Sequence, residues 1–147
     1  MKILIFGLPG SGKTWLAERL QKNLDCAWYN ADEVRKWAND WQFDEDARIR
    51  QARRMRSLAD FEKGCGRTVI CDFVCPTELT RYIFEADFTV WMDTIKEGRF
   101  EDTNKIFENP NLEKVDFHVS EWFDNTQDTL SYAVHRHIEL KKNGLYI

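Results

Sequence analysis

The sequence predicts an α/β fold, a parallel sheet of about five strands with helices on both faces, and three features carry that expectation. Apolar runs alternate with helical segments from one end of the chain to the other. The run Thr68–Cys71 lacks the polar alternation of a half-exposed strand, as expected when both faces are covered. The first apolar run opens directly into a glycine-rich loop that leads into a helix. A chain of 147 residues, 43% hydrophobic and 14% aromatic with three prolines and seven glycines, has the composition of one globular domain spanning 1–147.

Taken in order, Ile3–Phe6 reads as a buried strand, followed by the glycine loop and a helix from Lys13 to about Leu24. Cys26–Tyr29 is the second expected strand, followed by a short helix over Asp32–Ala38. Asp44 suits the cap of a long helix reaching Cys65, with Gly64 and Gly66 as its stop signals. Thr68–Cys71 is the third strand. Pro76 fits the first turn of a helix that carries Arg81 and Tyr82. Phe88–Met92 and Val115–Val119 are the fourth and fifth strands, and Asn125 or Thr126 caps a last helix reaching about Lys142. Between Thr94 and Glu113 the chain is polar and without period, which in a compact domain marks a functional loop.

A net charge of -4 and a pI near 5.4 argue against broad binding to nucleic acid or to an anionic membrane. The first apolar run is too short for a secretion signal, and no stretch approaches the roughly 20 apolar residues of a membrane helix. Cys26, Cys65, Cys71 and Cys75 are expected as reduced thiols, since Cys71 and Cys75 lack the second ligand pair of a zinc site. A cytoplasmic location is the expectation.

The loop Gly7-Leu8-Pro9-Gly10-Ser11-Gly12-Lys13-Thr14, set between a strand and a helix, has the full context of a phosphate-binding P-loop. Its glycines let backbone N–H groups converge on phosphates, and the helix N-terminus adds partial positive charge. Lys13 is placed to reach the β- and γ-phosphates, and the Thr14 hydroxyl to ligate Mg²⁺. The expected fold is therefore the P-loop nucleoside-triphosphate-hydrolase fold and the expected cofactors are ATP and Mg²⁺. The predicted nucleotide site comprises Gly7, Pro9, Gly10, Ser11, Gly12, Lys13, Thr14 and Trp15. A GTPase would carry Asn-Lys-x-Asp after a strand, but Asn104-Lys105 is followed by Ile106-Phe107.

Asn30-Ala31-Asp32-Glu33-Val34-Arg35 begins where the second strand should end, at the sheet edge where open α/β sheets bind ligands. Asp32 and Arg35, three apart, share a face of a first helical turn. The carboxylate there suits a general base and the guanidinium an anion grip; an N-capping aspartate with a surface arginine is the other reading. The long helix carries Arg48, Arg50, Arg53, Arg54 and Arg56, a pattern that most often marks a solvated face. Asp72 closes the third strand after Thr68-Val69-Ile70-Cys71, as in a Walker B strand, and is a candidate for magnesium contact through water, or else a helix or turn cap before Pro76.

These residues resemble adenylylsulfate kinase over most of the chain. That family's Asp-Gly-Asp-x-x-Arg is similar to Asn30-Ala31-Asp32-Glu33-Val34-Arg35, and its Gly-Phe, Asp-Arg and Asn-x-Arg-Arg to Gln42-Phe43, Ala47-Arg48 and Gln51-Ala52-Arg53-Arg54. Its Phe-Ile-Ser-Pro matches Phe73-Val74-Cys75-Pro76, and its Val-Asp-Thr matches Met92-Asp93-Thr94. The resemblance implies catalysis by Lys13, Asp32 and Arg35, with Asp32 as base for a ribose 3′-hydroxyl. It implies that Arg35, Arg48 and Gln51 bind the phosphosulfate and that Phe43 and Phe100 stack on the adenine. Thr14 and Asp72 are the implied metal residues. A small nucleotide acceptor is the expected partner, and the resemblance admits a homodimer. The chain departs from the family at Asn30, at Gln51 and, most of all, in a deletion after Thr94 where the family carries a basic lid. Lys96, Arg99 or Lys105 would have to supply the lid's charge.

Asn30, Asp32, Arg35 and Asp72 also resemble polynucleotide 5′-kinase, although Phe73-Val74 replaces the Thr-Asn expected after the aspartate. A reading of another class is a non-catalytic nucleotide-binding regulator. His135 and His137, two apart on a helix, make a poor metal pair, and His118 in a strand reads as structural. The six tryptophans, Trp15, Trp28, Trp37, Trp41, Trp91 and Trp122, are expected mainly in core or shielding positions.

Overall fold

A computed structural model describes residues 1–122 and 125–144. Five strands, β1 (Lys2–Gly7), β2 (Ala27–Asn30), β3 (Val69–Phe73), β4 (Phe88–Met92) and β5 (Phe117–Val119), form one sheet in the order β2-β3-β1-β4-β5. Every neighbouring pair is parallel. The helices are α1 (Lys13–Leu24), α2 (Ala31–Ala38), α3 (Glu45–Gly64), α4 (Glu78–Phe84), α5 (Glu101–Ile106) and α6 (Thr126–Lys142), with a 3₁₀ turn at Leu112–Lys114.

The unbroken apolar pattern of β1 has a direct physical outcome. Alternate residues of a strand face opposite sides, and here both sides are roofed. Ile3 and Ile5 pack with Leu16, Ala17 and Leu20 of α1 and with Leu130 and Val134 of α6. Leu4 and Phe6 pack with Ala52, Met55 and Ala59 of α3. The strand ends on the carboxyl side therefore meet at one edge, where the P-loop, Asn30 and Asp72 lie together; Asn30 pairs with Asp72 across β2 and β3.

Several boundaries differ from those expected. β2 runs one residue further, so Asn30 closes the strand and caps α2, accepting from Glu33 N at 3.1 Å. β3 continues through Asp72 to Phe73, which puts Asp72 inside the strand. Pro76 precedes α4, whose cap is Thr77 in a reciprocal box with Thr80. Asn125 stands at the start of α6 without a side-chain cap bond. The expected long loop holds α5 and the 3₁₀ turn; both are short and fixed by tertiary contacts, Phe107 packing on Phe6 at 6.3 Å, so no period marks them. Of the tryptophans, Trp91 is buried, while Trp15, Trp37, Trp41 and Trp122 are exposed, contrary to the core expectation. Cys26, Cys71 and Cys75 are buried free thiols, Cys65 an exposed one, and the described residues hold no cluster of three metal-ligating side chains. Among the described residues no helix is long and apolar enough to cross a membrane.

Candidate active site

The P-loop leaves β1 where only glycine fits. A Cβ on Gly7 would stand 2.5 Å from the Met92 carbonyl oxygen, and one on Gly12 (φ +99°) would run into the Trp122 ring. The loop is then tied from two sides. Ser11 N donates to Leu8 O at 3.1 Å, and Thr94 Oγ1 donates to Ser11 O at 2.7 Å. Lys13 opens α1, and its Nζ donates to Leu8 O at 3.0 Å. Burial pulls the Lys13 ammonium down from 10.5 to about 8, opposed by Asp72 and Asp32 and aided slightly by Arg99.

Asp72 is the centre of a buried polar knot. Its carboxylate accepts from Trp28 Nε1 at 2.7 Å, Thr14 Oγ1 at 3.0 Å and Asn30 Nδ2 at 3.1 Å. Burial raises its pKa, and the bonds from Trp28 and Thr14, Lys13's charge and the bond from Asn30 pull it back. Because the Thr14 proton goes to Asp72 and an Asn30 amide proton takes one lone pair, one lone pair of the hydroxyl is left for a ligand or cation. Asn30 also donates to Thr14 Oγ1 at 3.1 Å. Asparagine, with a donor amide, can bridge Thr14 and Asp72 here; a second ionised carboxylate beside Asp72 could not donate.

Asp32 lies in the first turn of α2 and is exposed on the wall of the cleft. Asn30, not Asp32, does the capping, which removes the capping reading of Asp32. Arg35 is only 5% exposed, so it is no surface arginine. Its Nη1 donates to Asp40 O at 3.0 Å and Gln42 O at 2.9 Å, and the guanidinium lies 4.5 Å from the Phe43 ring centroid. Arg48 donates through Nε to Phe43 O at 2.8 Å and through Nη2 to Thr103 Oγ1 at 3.1 Å. Arg50 and Arg54 instead pair with Asp40, and Arg56 with Asp60 and Glu85. Asp40 is thereby held well below the usual carboxylate range by the bonds from Arg50 and Arg54.

Gln51 is buried; its Nε2 donates to Ala31 O at 3.1 Å and its Oε1 accepts from Arg54 at 2.6 Å. The residue braces α2 against α3 at the cleft floor. Phe43 and Phe100 are 51% and 54% exposed and both line the cleft, which decides against core packing for either. Phe107 is the phenylalanine that enters the core. Of the three lid cations, Lys96 pairs with Asp93 at 3.6 Å and Lys105 with Glu101 at 3.9 Å, while Arg99 lines the cleft over Phe100. His118 stacks on Trp91 and bonds Asp93 at 3.0 Å, a structural position.

One cleft of about 850 Å³ joins these groups, lined by Gly10, Gly12, Lys13, Thr14, Trp15, Asp32, Arg35, Phe43, Arg48, Gln51, Asp72, Arg99 and Phe100 among others. That volume lies within the range of small-molecule sites, about 300–1,000 Å³. Trp28, Trp41, Thr94 and Thr103 were not legible as site residues. Two of them left a signal: Trp28, two before Asn30 on one strand, faces the same way, and Trp41 sits beside Phe43 in the sequence.

No curated protein matches the chain in sequence. Solved structures share its fold. The APS kinase of Mycobacterium tuberculosis, solved with AMPPNP and APS, is 19% identical with a TM-score of 0.72, covering 94% of this chain and 96% of its own. A sugar kinase from Janibacter sp. is 14% identical with a TM-score of 0.67, covering 94% of each chain. The shikimate kinase of Aquifex aeolicus is 19% identical with a TM-score of 0.61, covering 99% of each. A family model described as an AAA domain matches residues 3–105, more than half of the sequence. The glycine loop after β1, the parallel five-stranded sheet and that match agree, and the chain belongs to the AAA domain family with a P-loop nucleoside-triphosphate-hydrolase fold.

Proposed function

We propose that the chain is an ATP- and Mg²⁺-dependent phosphotransferase whose acceptor is a small anionic nucleotide, adenylylsulfate or a close relative. The observation that carries this reading is the continuity of one cleft from the P-loop past Asp32 to two exposed phenylalanines bordered by Arg35, Arg48 and Arg99. The fold is shared with sugar and shikimate kinases and does not choose the acceptor. Two exposed phenyl rings favour an aromatic base, and nearby guanidinium groups favour an anion.

In this reading the loop amides and Lys13 hold the triphosphate. Thr14, and Asp72 through water, are the residues that would hold Mg²⁺, which when bound neutralises charge on the β- and γ-oxygens. Asp32 accepts the proton of the acceptor's 3′-hydroxyl. That oxygen attacks the γ-phosphorus, the bond to the β–γ bridging oxygen breaks, and ADP leaves. Arg99 supplies the cation of the shortened lid. Arg99→Ala should slow turnover at least about tenfold, roughly 1.4 kcal/mol on the barrier. Lys96→Ala and Lys105→Ala should change it little; steady-state rates of the three variants decide which cation faces the reaction.

The deciding experiment measures ADP release with adenylylsulfate, shikimate, a hexose, a 5′-hydroxyl oligonucleotide or no acceptor. Adenylylsulfate-dependent release is expected. Stimulation by the oligonucleotide alone would favour a polynucleotide 5′-kinase, and ATP binding with no stimulation by any acceptor would favour a regulator. If Phe43 and Phe100 enclose the base, each alanine variant should bind adenylylsulfate more weakly by about 1–3 kcal/mol. ATP affinity should hold, and the two losses should not add, because both rings contact one ligand. Isothermal titration of both single variants and the double variant checks this; additive losses would separate the two rings.

A further inference from the structure

Residues 39–44 join α2 to α3 without helix or strand, and Phe43 is among them. Its exposed ring belongs to neither buried cluster of the described residues. Neither a backbone ladder nor core packing therefore sets where that ring stands. Charged groups do. The Asp40 side chain, only 10% exposed, accepts from Arg50 Nε at 2.7 Å, Arg50 Nη2 at 3.1 Å and Arg54 Nη2 at 3.0 Å. Its Oδ1 also accepts from Gln42 N at 3.3 Å, which closes a turn immediately before Phe43. Arg50 Nη2 reaches on to Gln42 Oε1 at 3.0 Å. From α2, Arg35 holds the carbonyls of Asp40 and Gln42. The segment is thus clamped between two helices, and one carboxylate gathers the clamp.

The clamp also reaches the other end of the acceptor site. Arg54 Nη1 donates to Gln51 Oε1 at 2.6 Å, and Gln51 Nε2 donates to Ala31 O at 3.1 Å, one residue before Asp32. A line of hydrogen bonds therefore runs from the loop of Phe43 to the turn of Asp32. A two-pronged bond between guanidinium and carboxylate fixes orientation as well as distance. Arg35, Arg50 and Arg54 all lie within 4.0 Å of the Asp40 carboxylate, and without that charge the three cations would repel one another. We propose that Asp40 is a positioning residue of the acceptor site. By drawing Arg50 and Arg54 onto itself, it fixes the loop on α3 and sets the Phe43 ring against the acceptor's base. Asp40 does not line the cleft, so it acts through Phe43, which does. This rests on the reading of Phe43 as a wall of the acceptor site.

Isothermal titration compares adenylylsulfate with Mg²⁺-ATP on the parent, Asp40→Asn, Phe43→Ala and the double variant, with melting temperature as a check on folding. Asp40→Asn keeps the shape of the side chain and removes its charge. It should bind adenylylsulfate roughly 5- to 100-fold more weakly, the range of one base–aromatic stack. ATP affinity should stay within about threefold of the parent's, and in the Phe43→Ala background Asp40→Asn should cost less than about threefold more, because both act on one contact. Arg50→Gln removes the two-pronged partner at a more exposed position and should give the same selective loss, so the result does not hang on the folding of one variant. Equal losses for both ligands would make Asp40 a brace for the whole chain, and losses that add to those of Phe43→Ala would place its action elsewhere; either overturns the proposal. Tighter binding of adenylylsulfate would overturn it too, making Asp40 a rival anion that keeps the arginines from the ligand. Weakening by Phe43→Ala with no change from Asp40→Asn or Arg50→Gln would sink the proposal and leave the acceptor reading standing. A parent that does not bind adenylylsulfate would remove the acceptor reading, and the role of Asp40 with it.

Discussion

Lys13→Ala is expected to abolish phosphoryl transfer and weaken ATP binding, raising the barrier by about 3 kcal/mol or more, as when other preorganised electrostatic groups are removed. Lys13 opens α1 against the loop, and among the described residues no other lysine lines the cleft to replace it. Steady-state turnover and isothermal titration of the purified variant check this; near-normal turnover would remove the phosphotransferase reading. The same side chain sets a pH dependence. Burial lowers its pKa from 10.5 to about 8, so the ATP affinity of the free chain should fall as pH rises through about 8. Bound phosphates favour the charged form, and the decline should be smaller at saturating ATP. The sign for stability is opposite. Between about 8 and 10.5 the unfolded chain keeps a proton that the folded chain has released, so Lys13 makes the ligand-free protein more stable as pH rises across that window. Denaturant midpoints of the parent should rise relative to those of Lys13→Ala over the same range.

Asp32→Asn should leave folding and ATP affinity intact while cutting turnover by roughly 10²- to 10⁴-fold, the usual range for a general base. The expectation is sharpened by Asn30, which takes the capping bond to Glu33 N and leaves the Asp32 carboxylate exposed in the cleft. Asp72 cannot stand in for it. That carboxylate is buried and already accepts from Trp28, Thr14 and Asn30. An asparagine at 32 keeps the shape of the site but cannot take a proton. Single-turnover rates at saturating ATP and acceptor, with melting temperatures alongside, are the measurement. Equal rates in variant and parent would move proton transfer to another group, and a lowered melting temperature would assign Asp32 a structural role.

By itself the sequence determined what depends on near neighbours along the chain. The spacing of Gly7, Gly12, Lys13 and Thr14 fixes a phosphate loop because the bond from backbone to phosphate needs only that turn and the helix after it. The unbroken run of β1 and the alternation of strands with helices fixed a doubly covered parallel sheet, since burial of both faces leaves no polar period. The pairing of Asp32 with Arg35 was legible as a helical spacing, but not that one is exposed and the other buried. Tertiary structure decided which of several alike residues faces the cleft. Arg48 does while Arg50 and Arg54 are drawn onto Asp40, and Phe100 does while Phe107 enters the core. It also joined Trp28 to Asp72 across 44 positions and set Trp122 against Gly12. A period along one element records how much of each face is buried. Which partner meets that face follows from the strand order β2-β3-β1-β4-β5, and that order arises only when distant segments pack together.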